Sequence, residues 1–238
     1  MTFFDKHKPD NQRLLALTAL ILFAPAPTVG VLAALHGGQG LSGTLVWAAA
    51  KVWLYALPGL WHLFVQKQAF SLSAPRKGGF AAAFGVGLLM CAVIWGTFWL
   101  FGRGAVSPNL LREKVGALGL DRPAVYLAAS LYWICVNSLL EEYVFRFFLY
   151  RQCEILLRGV RWAAVLLAAF LFTVHHSVVL SAYMGPGQNA LASLGVFGAG
   201  VIWSAMYARY RSVWIPYISH AWADIGVFGL GAYLIFWA

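Results

Sequence analysis

Seven stretches of this 238-residue chain stay apolar for 20 residues or more, near 14–35, 43–65, 80–101, 124–151, 161–181, 189–208 and 213–237. A helix of about 20 residues crosses a hydrocarbon core of ~30 Å, and lipid leaves a spanning chain few alternatives, because every backbone N–H and C=O must be satisfied within the protein. The expected fold class is therefore all-α, a polytopic transmembrane helical bundle of about seven spans, with six to eight compatible with the pattern. Composition agrees: 61% of residues are hydrophobic and 11% charged, with a mean hydropathy of +0.74, values of a multi-pass membrane protein rather than a soluble domain.

The formal charge of +9 could suggest nucleic acid, but the basic residues lie in short loops between apolar runs and form no continuous patch. No nucleic-acid partner is expected. With the N-terminus on the cytoplasmic side, that side receives Lys6, Lys8, Arg13, Lys67, Arg76, Lys77, Arg151, Arg158, Arg161, Arg209 and Arg211. The other receives only Arg103, Arg112, Lys114 and Arg122, as the positive-inside rule requires. The expected setting is the cell membrane, with a cytoplasmic N-terminus. The first apolar run is too long for a signal-peptide core and lacks a clear cleavage site, so it reads as a retained span.

Cys91, Cys135 and Cys153 lie scattered in apolar segments without disulfide or zinc-knuckle spacing. Gly85, Gly87, Gly195, Gly198 and Gly200 read as sites of close helix packing. In the loop near 102–123, "PNLLREKVGALGL" has helical apolar spacing and reads either as a short interfacial helix or as a solvated connector. No internal repeat is visible, and 1–238 reads as a single integral-membrane domain.

Against this background "NSLLEEYVFRFFLYRQ" is costly: an ionisable side chain near the membrane centre costs on the order of 2.5–3.5 kcal/mol on insertion scales. Glu142 and Arg146 stand at i and i+4 and can pair, while Glu141 points about 100° away. One carboxylate can neutralise the arginine and leave the other free. Asn137, four residues before Glu141, can hydrogen-bond and orient it. The bland alternative is a buried ion pair that locks helices together.

"FLFTVHHSVVL" adds His175 and His176 in the fifth run, and "PYISHAWADIGVF" adds His220 and Asp224, again at i and i+4, in the seventh. Carboxylates and imidazoles on three separate helices of one half suit water activation, with a carboxylate as general base and imidazoles holding water or an oxyanion. Peptide hydrolysis fits. No "GxSxG", "HExxH" or recognised cysteine-nucleophile motif occurs. Lys51 and His62, in the second run, read as a snorkelling or internally paired lysine and a histidine near the cytoplasmic end.

"EEYVFR", "FTVHH" and "HAWAD" together resemble the ordered motifs EExxxR, FxxxH and HxxxN/D of the CPBP family, the CAAX-processing and bacteriocin-processing (Abi) intramembrane proteases. The resemblance covers about residues 124–237, which would be the catalytic core. It implies a glutamic-type intramembrane endopeptidase in which Glu141 activates water, His176 helps hold it, and His220 with Asp224 stabilises the oxyanion. Glu142 and Arg146 would shape the site, with Phe172 as packing neighbour. The motif spacing selects His176 over His175.

The third motif ends in Asp224 where asparagine is common in the family. An ionised aspartate cannot donate a hydrogen bond, so Asp224 either carries a proton or orients His220. The family resemblance favours a mechanism without metal or other cofactor. Zinc held by Glu141, His176 and His220 is the alternative, a two-His, one-carboxylate set.

The expected partners are the lipid bilayer and a membrane-associated peptide or protein tail. Two other functions use the same residues: a non-catalytic scaffold or bacteriocin-immunity protein, and a proton-coupled transporter, against which the missing inverted repeat counts. Counting residues from the expected helix ends puts Glu141 and His220 in the cytoplasmic half and His176 higher. Either the fifth run's boundary is off by several residues or that helix tilts.

Overall fold

The computed structural model describes residues 9–36, 40–69, 71–104 and 107–238; Lys6 and Lys8 of the basic N-terminus lie outside them. No strand occurs among the described residues. Six helices are long and apolar enough to cross a membrane: Asp10–His36, Phe80–Gly102, Pro123–Leu156, Arg161–Ser181, Pro186–Tyr210 and Trp214–Phe236. The second expected run is also a long helix, Leu41–Leu60 (α3) continued by Trp61–Val65, but it carries Lys51 and His62 and is not among the six.

Sequence chemistry explains the interruptions. Pro9–Phe23 (α1) and Pro25–His36 (α2) meet at Ala24, where Pro25 and Pro27 have no N–H to continue the ladder. Pro58 sits inside α3, and the helix widens into a π turn at Trp61–Val65 directly after it. Phe80–Thr97 (α4) ends in a second π turn, Phe98–Gly102.

The loop between the third and fourth long helices contains a short helix, Pro108–Ala117 (α5), as the apolar spacing suggests. Pro108 opens it and the Ser107 hydroxyl accepts from the Leu110 N–H at 3.3 Å. Arg112 of α5 donates from Nε to the Ile235 carbonyl at 2.8 Å, and its guanidinium also meets the Ala238 carbonyl.

The central helix is built in pieces: Pro123–Tyr132 (α6), a π turn at Trp133–Asn137, Ser138–Glu142 (α7), a π segment at Tyr143–Tyr150, and Arg151–Leu156 (α8). The π segment and its flanks form the core, with Val144, Phe145, Phe148, Leu149 and Tyr150 at 2% exposure or less. Arg161–Ser181 (α9), Pro186–Tyr210 (α10) and Trp214–Phe236 (α11) pack around it.

Close approach is selective. A Cβ on Gly87 would come within 2.7 Å of Trp222, too close without a shift of that side chain, and one on Gly200 within 3.2 Å of the Ala169 backbone, a tight contact, so both glycines allow close helix approach. Gly85, Gly195 and Gly198 have nothing within 4 Å, contrary to the expectation that all five pack closely. The three cysteines are free.

One end of the bundle is tied by polar contacts. Arg211 closes α10 in the left-handed region (φ 53°) and clasps Glu154 with two bonds of 2.7 Å. Ser212 donates to the Ser73 carbonyl at 2.6 Å, the Ser73 hydroxyl accepts from the Val213 N–H at 3.0 Å, and the Trp214 indole donates to Leu72 at 2.9 Å. The loop after α3 is thereby fixed to the turn that positions His220.

Candidate active site

Ser138–Glu142 and the π segment after it place Glu141 and Glu142 on different sides of the central helix, as the i, i+1 spacing demands. Glu142 has no exposed surface. One of its oxygens lies 3.2 Å from Arg146 Nη1 and 2.8 Å from His220 Nδ1. Arg146, 1% exposed, faces the rings of Phe172 and Trp203 at 4.5 and 5.2 Å from their centroids. Aromatic faces attract a desolvated cation strongly, so Phe172 does more than fill space beside His176. His220 itself stacks on Trp203, with centroids 4.0 Å apart and planes 19° apart.

A carboxylate only accepts, so the bond from His220 Nδ1 to Glu142 fixes the N–H on Nδ1. Its Nε2 then faces the other side, 3.8 Å from both Glu141 Oε2 and Asp224 Oδ2. The sequence left Asp224 either carrying a proton or orienting the His220 ring. The structure gives the Nδ1 contact to Glu142 instead. Asp224 lies against Ser138, whose Oγ is 2.5 Å from its Oδ2 and 2.8 Å from the Trp133 carbonyl oxygen, so the single hydroxyl hydrogen serves one of the two.

Glu141 is surrounded differently. The Asn137 amide donates to Oε1 at 2.8 Å, the contact expected from their spacing, and Tyr55 of α3 donates to the Asn137 Oδ1 at 3.3 Å. His176 Nδ1 lies 3.0 Å from the Phe172 carbonyl, which can only accept, so this nitrogen carries the hydrogen and Nε2 keeps its lone pair. A carboxylate oxygen of Glu141 and one nitrogen each of His175 and His176 all lie within 4.8 Å of one another. Among the described residues this is the group with metal-ligand geometry, and it contains His175 where the sequence suggested His220. Three points so spaced fit within about 2.8 Å of a common centre, a hydrogen-bond length, so one water oxygen could touch all three.

His175 was the weaker histidine by motif spacing, yet it is 8% exposed, stacks on Phe145 at 9°, and leaves Nδ1 buried without a hydrogen-bond partner. The signal that could have found it was its adjacency to His176 in a helix with no other ionisable residue after Arg161. Nothing in the sequence singled out Ser138, Tyr55 or Trp203, whose parts are set by contacts between helices.

The helix ends give the position of each group along its own helix. Arg161–Ser181 begins where the sequence put it, but the central helix runs on to Leu156 instead of ending near 151. Glu141 is thus 15 residues from the end of its helix and His176 is 15 residues from the start of the next (156 − 141 and 176 − 161). By the same count His220 stands only six residues into its helix (220 − 214).

Comparison with protein families places residues 123–226 in a match to the model described as Type II CAAX prenyl endopeptidase Rce1-like. No curated protein and no solved structure matches the chain. The matched segment runs from the first residue of the central helix into α11 and contains Glu141, Glu142, Arg146, both adjacent histidines, His220 and Asp224, whereas Lys51 and Tyr55 lie outside it. The six apolar helices make the chain a multi-pass membrane protein, and its residues 123–226 are similar to the Rce1-like CAAX-protease family of membrane endopeptidases.

Proposed function

We propose that the protein hydrolyses a peptide bond of a membrane-associated peptide or protein tail with water activated by Glu141. The observation that carries this reading is the unequal use of the two carboxylates. Glu142 is consumed by Arg146 and His220, whereas Glu141 is oriented by Asn137 and kept within 4.8 Å of two imidazoles.

Glu141 takes a proton from the water while His176 Nε2 accepts its second hydrogen. The water oxygen attacks the scissile carbonyl carbon, and the carbonyl electron pair moves onto oxygen. His220, doubly protonated with Nδ1–H given to Glu142, donates from Nε2 to that oxyanion. Collapse of the tetrahedral intermediate breaks the C–N bond, and Glu141 returns its proton to the leaving amine. Asp224, held by Ser138, shapes the edge of the oxyanion position. The segment 124–237 is the catalytic core of one integral-membrane unit, with the N-terminus and basic loops on the cytoplasmic side of the cell membrane.

Zinc is the second reading, favoured by the cluster of Glu141, His175 and His176. One carboxylate oxygen and two imidazole nitrogens suit a catalytic zinc, which would act as a Lewis acid on water. Glu141 would then be a ligand rather than the base.

Wild type and Glu141→Gln, purified in detergent, are compared on a library of membrane peptides with and without a zinc chelator. The metal-free mechanism predicts a 10²- to 10⁴-fold fall in kcat for the variant, the range of general-base catalysis, and no effect of chelation. Activity removed by chelation and restored by zinc selects the zinc reading. Undiminished cleavage by Glu141→Gln overturns both.

A further inference from the structure

The Ser138 hydroxyl has more partners than hydrogens. Its Oγ lies 2.5 Å from Asp224 Oδ2 on α11 and 2.8 Å from the Trp133 carbonyl oxygen on its own helix. Both are hydrogen-bond lengths, and two oxygens so close repel unless a hydrogen stands between them. A carbonyl brings none and a serine hydroxyl brings one. Ser138 has no exposed surface, so solvent does not supply the other. The second hydrogen therefore comes from the carboxyl group of Asp224, and the bonds run from Asp224 Oδ2–H to Ser138 Oγ and from Ser138 Oγ–H to the Trp133 carbonyl.

The surrounding charges suit a neutral Asp224. His220 stands four residues before it on α11, and Glu141 and Glu142 of the central helix are near enough to act on it electrostatically. Arg146 and a doubly protonated His220 balance the two glutamates, so a third ionised carboxylate would leave this low-dielectric group with a net negative charge. Lys51 does not offset it. That lysine lies on α3, 5.8 Å from the centroid of the Tyr55 ring, and no carboxylate stands within ion-pair distance of it among the described residues.

The π turn makes the arrangement reversible. Where the ladder widens, the Trp133 carbonyl also receives the backbone N–H of Ser138, so it keeps a partner when the hydroxyl turns away. The serine hydrogen can then swing to Asp224 Oδ2, and the carboxyl O–H is released to point into the site. Asp224 Oδ2 and His220 Nε2 are 3.8 Å apart, and one oxygen can stand a hydrogen-bond length of about 2.8 Å from both.

We propose that Ser138 is a positioning residue whose hydroxyl holds the carboxyl hydrogen of Asp224 in the resting site and, by turning from Trp133 to Asp224, frees that hydrogen for the oxyanion beside His220. Only hydrogen bonds change in this step, and each hydrogen stays on its own oxygen. The use of the hydrogen rests on the peptidase reading; its placement does not.

Infrared difference spectroscopy of the protein in detergent tests the placement without turnover, because a protonated carboxyl group has a carbonyl stretch apart from the carboxylate bands. Wild type minus Asp224→Asn, a nearly isosteric change, should show a protonated-carboxyl band. Ser138→Ala should move that band, since the O–H loses its acceptor. In turnover, Ser138→Ala should lower kcat about tenfold, the size of one hydrogen bond, with KM unchanged. In the Asp224→Asn background, which has no carboxyl hydrogen to place, the same change should cost much less.

Absence of a protonated-carboxyl band from Asp224, or a band that Ser138→Ala leaves in place, overturns the proposal. Equal loss of kcat from Ser138→Ala in both backgrounds overturns it as well, because the serine would then act by packing. A band that Ser138→Ala moves, in a wild-type protein that cleaves nothing, would keep the placement of the hydrogen and remove the peptidase reading.

Discussion

The two sides of one helical turn have been given opposite treatment. Behind Glu142, the carboxylate, Arg146, His220, Phe172 and Trp203 form a closed compartment in which ion pairing and aromatic faces hold the charge, while Glu142 Oε2 and the Arg146 nitrogens make no aligned hydrogen bond. In front of Glu141, an asparagine and a tyrosine fix the carboxylate while His175, His176 and Lys51 retain hydrogen-bonding or charge capacity that the protein does not use. A buried pair of charges contributes little net stability, but breaking it is severe, because the survivor is left unpaired. The compartment behind is thus sensitive to removal of any member, and the side in front can lose a group and still fold.

Four substitutions sharpen that contrast. Glu142→Ala should have the largest effect, about 3–5 kcal/mol of stability lost through the unpaired Arg146, read as failure to accumulate or a collapse of Tm in detergent. Glu141→Gln, one residue away, should leave Tm unchanged, and a comparable loss in both would erase the distinction between the sides. Trp203→Leu should cost about 2 kcal/mol, since it removes a desolvated cation–π contact and the stacking partner of His220 together. Its kcat should fall as well, because the ring that faces Glu141 loses its support. Tyr55→Phe should be mildest, about 1 kcal/mol for one hydrogen bond, with kcat lowered a few-fold and Tm nearly constant. A large Tm loss in that variant would mean that α3 braces the fold rather than the carboxylate.

Local spacing made much of this legible. The pairing of Glu142 with Arg146 and of Asn137 with Glu141 follows from i, i+4 geometry within one helix, and the helices follow from apolar runs. Where the same logic was applied to His220 and Asp224 it found neighbours 3.8 Å apart but not the closer partners, because Glu142 and Ser138 reach those side chains from another helix at 2.8 and 2.5 Å. Spacing within a helix says which groups can meet, not which partner arrives from outside. His175 and Lys51 show the same limit. A motif counted from Phe172 passed over the first, and the second had no sequence neighbour to explain it, since what gives each its meaning is the helix opposite.

The wide turns of the central helix carry a consequence for how such a chain can vary. Deletion of one residue between Phe147 and Tyr150 would leave that helix ample length to cross a bilayer and its hydropathy almost unaltered. The shortened helix would nonetheless rotate everything after it by about 100°, carrying Glu154 off Arg211 and the Leu156 carbonyl off Arg13. A scan for membrane segments would not distinguish the two chains. In this chain the reading frame of the helix, counted in single residues, is therefore under tighter constraint than its greasiness, and descendants should exchange apolar residues there far more freely than they gain or lose one.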